Sequence, residues 1–144
     1  DARAEARRLV VMPNDPAEVW LGVVDRMEAP RPHSWTNAWL FPSAKAGRET
    51  ETGYEMDLSW GARLRMAFVG DTLLALRDEA KFWCPNYGEK EPARWVRLTS
   101  HCQKTRRAFL FAPVLGGQDV EPQVDLEADG VVFTVGRRKV RVAC

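Results

Sequence analysis

Turn-forming residues interrupt this chain roughly every eight to twelve residues, and between the interruptions apolar side chains recur at every second position. Segments that short leave no room for an amphipathic helix of useful length. A period of two instead sends alternate side chains to opposite faces of a strand. The expected fold is therefore all-β, an antiparallel β-sandwich of about eleven strands. With 144 residues the chain reads as one sandwich domain over 1–144, long enough to bury about two-thirds of the surface its unfolded form exposes.

Residues 6–12 form a first short strand, ended by Pro13-Asn14-Asp15-Pro16. Residues 17–27 carry Val19, Leu21 and Val23 on one face and Trp20, Gly22 and Val24 on the other, the pattern of a central strand covered on both sides. Asp25 continues the Val23 face and reads as a strand-end carboxylate bonded to nearby backbone. Beyond a Pro30-Arg31-Pro32 corner, Trp35, Asn37, Trp39 and Phe41 share one face of a strand over 33–42, as core or as a sugar platform. Residues 43–53 are polar and aperiodic, hence an exposed loop. A hairpin pivots at Gly61, with Leu64, Met66 and Phe68 facing away from Arg63 and Arg65, and a second turns at Gly70-Asp71 into a strand over 72–77. Strands follow at 93–100 and 105–113, joined by a tight connection at His101-Cys102-Gln103-Lys104. After a break at Gly116-Gly117 the chain ends in a three-strand meander over 123–127, 131–135 and 138–142, with turns at Asp129-Gly130 and Gly136-Arg137. Trp20, Val23, Leu64, Met66, Phe68, Phe109 and Phe111 are the predicted core.

The stretch 82–95, FWCPNYGEKEPARW, stands apart. Pro85 and Pro92 lack the N–H of a ladder and Gly88 invites a left-handed bend, so it reads as an ordered loop between strands. Trp83, Tyr87 and Lys90 within it are the candidate substrate-binding residues: a ring can fix a sugar plane while an ammonium meets a uronate or sulfate.

Lys plus Arg (21) nearly cancels Asp plus Glu (20), so no global field points to nucleic acid, and no apolar run is long enough for a membrane helix. Phosphate-binding glycine loops are absent. Cys84, Cys102 and Cys144 lack the spacing of a zinc site, so neither metal nor cofactor is expected. Cys84 and Cys102 could bridge in an oxidising compartment. His33 and His101 have no sequence neighbour that would orient them as bases, and Tyr54 and Tyr87 could work as acid/base groups only if a nearby cation lowered their pKa. No catalytic residue is assigned. Arg63 and Arg65, and Arg137, Lys139 and Arg141, line strand faces that could follow an acidic polysaccharide or simply deter edge-to-edge association.

Two segments carry a family resemblance. WLGVVDRMEAPRPHSWTNAWLFP (residues 20–42) resembles the part of bacterial heparinase II/III-type polysaccharide lyases in which a "vvDr" strand precedes an aromatic-rich one, and FWCPNYGEKEPARWVRL (residues 82–98) resembles a Tyr-Gly-x-Lys-x-Pro-like loop of the same C-terminal region, in the same order. The resemblance implies a β-sandwich that packs on an N-terminal α-helical toroid, with an acidic polysaccharide in the cleft between them. It implies β-elimination on a uronic acid by the parent protein, outside the cytoplasm, either secreted or periplasmic. The Asn and Tyr of that chemistry belong to the toroid and the His to the early sandwich, before the "vvDr" strand, and this chain matches none of those positions. The expected role is the later part of a lyase sandwich, scaffolding the cleft and inactive alone, with a non-catalytic carbohydrate-binding or structural module as the alternative.

Overall fold

Two strands of unusual length organise the molecule, β2 (Leu21–Pro42) and β7 (Glu91–Val114). The computed structural model describes residues 3–42, 44–114 and 121–144, among which there is no helix. The other strands are β1 (Glu5–Val11), β3 (Ala44–Glu49), β4 (Gly53–Leu58), β5 (Arg63–Gly70), β6 (Ala75–Trp83), β8 (Gln123–Glu127), β9 (Gly130–Val135) and β10 (Arg138–Ala143). All pairings are antiparallel. One sheet runs β1-β2-β7-β5-β4-β3 with β6 also on β7, and a second is the meander β10-β9-β8.

β2 pairs with β7 from Leu21↔Phe111 to Pro42↔Ala93, with a register shift between Glu28 and His33. Pro30 and Pro32 fall in that shift, where the missing N–H groups make a break in the ladder inexpensive. On the other edge of β7, β6 follows its first half, from Trp83↔Glu91 to Ala75↔Thr99, and β5 its second, from Gly70↔Arg107 to Arg63↔Val114. The sheet folds over at the shift, so the halves of the same two strands lie in different layers. The Trp39 ring of one layer meets Phe109 and Phe111 of the other edge-on, at 5.2 and 5.0 Å.

Between those layers lie Val23, Met56, Met66, Val96, Leu98 and Phe109, all buried, with Leu64 and Phe68 half-buried against them. The opposite face of the shared layer, through Val24, Ala108 and Leu110, packs on Val131 and Phe133 of the meander together with Trp20. The strand read as covered on both sides is indeed central. Among the predicted core residues, Trp20, Val23, Met66, Phe109 and Phe111 are buried.

Several local expectations are corrected. The strands predicted at 17–27 and 33–42 merge into one bulged strand that begins only at Leu21, and His101 to Lys104 continue β7 instead of turning, with His101 opposite Ser34 and Lys104 opposite Glu28. Gly70-Asp71 does not close a hairpin. β5 and β6 share an edge of β7 without pairing, so the connection arches from one layer to the other. The polar segment predicted as a loop contains the edge strand β3, whose pairing with β4 matters more than its polarity. Gly47 is needed there: a Cβ would lie 1.8 Å from the Tyr54 hydroxyl. The break predicted at Gly116-Gly117 lies outside the described residues.

Candidate functional site

The predicted loop 82–95 shrinks to the tip of the β6–β7 hairpin. Phe82 and Trp83 close β6 opposite Pro92 and Glu91, leaving 84–90 as the connection. Pro92 is accommodated because the final rungs of a hairpin tolerate a missing donor. Gly88 turns the chain at φ +81°, and Asn86 binds Glu89 through both backbone and side chain, at 3.2 and 2.8 Å. Trp83 ends β6, and Tyr87 and Lys90 lie in the connection that follows it. Tyr87 is fully exposed, while Trp83 is half-buried and donates its indole N–H to Glu91 at 3.2 Å. The carboxylates flanking Lys90 are thus engaged by Asn86 and Trp83, and the exposed ammonium has no ion pair among the described residues.

A buried polar cluster lies where the two long strands cross between layers. Asp25 accepts a bidentate pair from Arg8 at 2.7 and 2.8 Å, and Asn37 donates to the same carboxylate. Asn37 in turn accepts from Arg107 at 2.5 Å. Arg107, with no exposed surface, also donates to the Leu98 carbonyl at 3.1 Å, the Trp35 carbonyl at 2.8 Å and the Ser100 hydroxyl at 2.7 Å. Its Nε has no hydrogen-bond partner among the described residues. Burial pulls the Arg107 pKa below its ordinary value, opposed by Cys102 and Asp25. The Arg8 guanidinium also lies over Trp39, 4.8 Å from the ring centre. A surface pocket of about 370 Å³ opens beside this cluster, lined in part by Arg8, Asp25, Trp35 and Asn37.

Asp25 is therefore not a carboxylate capping local backbone. Its partners are side chains from β1 and from the far half of β2, because the fold-over brings residue 37 back onto residue 25. The aromatic face of 35–41 is core, not a platform: Trp39 and Phe41 pack into the cluster between layers.

Tyr54 is buried and donates its hydroxyl to Asp78, which also takes a bidentate pair from Arg94 at 2.8 Å and shorter. Burial first, and the Asp78 hydrogen bond second, push the phenol well above its ordinary pKa. That is the reverse of what acid/base work requires. Tyr54 serves as a clasp between β4 and β6, and Tyr54→Phe is expected to cost about 1–2 kcal/mol in urea unfolding, since it strands a shielded carboxylate oxygen. Loss of less than about 0.3 kcal/mol would show that Arg94 alone satisfies Asp78.

The remaining candidates are dispersed. His33 rests on the edge of Trp35 at 5.1 Å, and His101 Nδ1 contacts the Ser34 hydroxyl at 3.2 Å. Arg63 and Arg65 are neutralised by internal carboxylates: Arg65 holds buried Glu55 at 2.6 Å and Arg63 holds Asp57 at 3.0 Å. Arg141 pairs with Glu127 and Asp129 at 2.7 and 3.0 Å, and Arg137 lies in the turn before β10, so no continuous basic row forms. The three thiols are free. Cys84 precedes β7 by several residues and Cys102 lies far along it, so some 35 Å of extended chain separates them, against about 6 Å for a disulfide. No group of three or more His, Cys, Asp or Glu among the described residues could hold a metal ion.

Sequence reasoning missed Arg107 and the role of Asn37. A signal existed: Arg107 shares the Phe109 and Phe111 face, Asn37 the Trp39 face and Asp25 the Val23 face, three polar groups on core faces that need one another.

This arrangement defines the scaffold of an antiparallel sandwich whose polar interior is structural. Its fold is similar to part of solved heparinase III-type lyase structures. The chain is similar to a heparinase III structure (TM-score 0.68, 12% identity, covering 85% of this chain and 21% of that one). It is also similar to the heparan sulfate lyase HepC from Pedobacter heparinus (TM-score 0.65, 12% identity, 87% and 22%). The chain thus spans about a fifth of the length of those proteins. No protein-family model matches the sequence, and a search of curated proteins finds no relative. The resemblance read in residues 20–42 and 82–98 holds at the level of the fold.

Proposed function

We propose that residues 1–144 form a single sandwich domain, the C-terminal portion of a longer heparinase II/III-like polysaccharide lyase. In that parent an N-terminal α-helical toroid completes a cleft for an acidic polysaccharide, and this portion scaffolds the cleft without reacting itself. The observation that carries this reading is the coverage: 85% of the chain superposes on about a fifth of a heparinase III. The side chains agree with it. Elimination needs a proton acceptor, a carboxylate neutraliser and a proton donor in one cleft, and here Tyr54 is locked to Asp78 while His33 rests on Trp35 and His101 on Ser34. Trp83, Tyr87 and Lys90 at the hairpin tip supply the rim contact to uronate or sulfate. On this reading the parent acts in the secreted or periplasmic space, where a polymeric acidic substrate is met. A free-standing carbohydrate-binding module fits less well, because Trp60 is the one strongly exposed Trp among the described residues and offers no partner ring for a flat platform.

The isolated chain is expected to show no turnover of heparin, heparan sulfate or alginate when the unsaturated product is followed by its absorbance. Turnover abolished by His33→Ala or Tyr87→Phe would overturn the scaffold role.

A further inference from the structure

The outer face of the β2–β7–β6 layer is open to solvent and carries an unbalanced charge pattern. Strand parity puts Arg77, Glu79, Lys81 and Trp83 outward on β6, with Trp95 and Arg97 beside them on β7. Register sets Arg77 directly opposite Arg97, and like charges facing each other on one side of a sheet are destabilising. Arg97 is drawn away from that opposition: it pairs with Glu79, and its guanidinium lies 4.8 Å from the centre of the Trp95 ring. Lys81 approaches the same ring at 5.2 Å and the same carboxylate at 3.2 Å. One carboxylate therefore serves two cations, and exposed Arg77 has no ion-pair partner among the described residues.

Several neighbouring cations are matched. Arg94 has Asp78, Lys104 has Glu28, Arg106 has Asp71 and Arg8 has Asp25. Next to the cationic excess, Leu40 lies opposite Trp95 with half its surface exposed, and the hydroxyls of Thr36 and Thr99 join at 2.9 Å further along the same face. A surface of spaced cations, a partly covered ring, an apolar ledge and hydroxyls suits an extended, hydroxyl-rich polyanion. It does not suit nucleic acid, because Lys81 and Arg97 already occupy the Trp95 ring on which a base would stack.

We propose that an acidic polysaccharide chain docks along this outer face, its carboxylate or sulfate groups bridging Arg77 and Arg97 and its rings passing over Leu40. The site rests on the reading that the parent's substrate is an acidic glycan, and extends it from the hairpin tip onto the sheet, with Trp83 as the junction. Guanidinium pairs hold such anions through charge-assisted, bidentate bonds, so the occupant removes the Arg77–Arg97 repulsion as it binds.

Titration of the 144-residue chain with a heparan sulfate hexasaccharide, followed by calorimetry, tests this. Arg77→Glu is expected to weaken binding by about tenfold or more while leaving the unfolding midpoint unchanged or slightly raised, and a neutral hexasaccharide is expected not to bind. Lys90→Ala at the tip is expected to weaken binding less than Arg77→Glu. Binding that Lys90→Ala abolishes and Arg77→Glu leaves intact overturns the sheet site while retaining the tip. Absence of binding up to millimolar oligosaccharide overturns the sheet site and the tip contact together, and equal binding of the neutral sugar overturns the charge-based recognition.

Discussion

Replacing Arg107 by Met is expected to cost about 3–5 kcal/mol of stability, the penalty for breaking a buried charged network by removing one partner. The guanidinium is wholly buried, and its four hydrogen bonds join Asn37, the Leu98 and Trp35 carbonyls and Ser100, all groups of the layer opposite its own. Met fills a similar volume and gains apolar contact, so the loss reports the stranded acceptors, not a cavity. Arg107→Lys should cost less than Arg107→Met but more than nothing, because an ammonium offers donors but not the planar fork that reaches both β2 and β7. Urea unfolding followed by Trp fluorescence measures both. A cost below about 1 kcal/mol for Arg107→Met would mean that water enters from the adjoining pocket and satisfies the acceptors, and that the network is dispensable to stability.

Phe109→Ala is expected to cost about 3–5 kcal/mol by a different route. Phe109 is fully buried in the cluster between layers, flanked across the strands by Val23 and Phe68 and met edge-on by Trp39 at 5.2 Å. Its neighbours on the ladder are fixed by two paired strands, so the wall cannot collapse into the space left behind. The cavity term therefore adds to the lost transfer energy. Phe41→Ala is the comparison: its ring is only partly buried at 6.0 Å from Phe111, and its loss should be visibly smaller. Equal losses at the two sites would contradict the assignment of Phe109 to the centre of the cluster.

Strand content and the central, doubly covered strand were legible because both rest on local alternation. Where the chain was misread, long-range pairing overrode local punctuation. The Pro30-Arg31-Pro32 corner bends a strand without ending it, since β7 continues alongside on both sides of the shift. His101 to Lys104 look like a connection only because their apolar alternation lapses; pairing with β2 holds them extended. The 82–95 stretch loses its ends to strands for the same reason, while its Gly88 bend survives as read. At the candidate site, the placement of Tyr87 and Lys90 in the connection after Trp83 follows from local turn residues. The outward stripe of Arg77, Trp95 and Arg97 required the register of β6 on β7, which no local pattern encodes.

The sharing of β2 and β7 by both layers also bears on how the chain reaches its native state. The contact between Asn37 and Arg107 spans 70 positions, so neither layer has a centre until a loop of that size has closed, and folding belongs with the slow, non-local topologies. At synthesis rates of about 5–20 residues per second, β2 waits several seconds for its partner with its aromatic face uncovered. Asp25, Pro30, Pro32 and Asn37 interrupt that strand at intervals, and such breaks keep a waiting apolar segment from pairing with its own copies on neighbouring chains. The same residues that make β2 difficult to read as one strand thus protect it until β7 arrives.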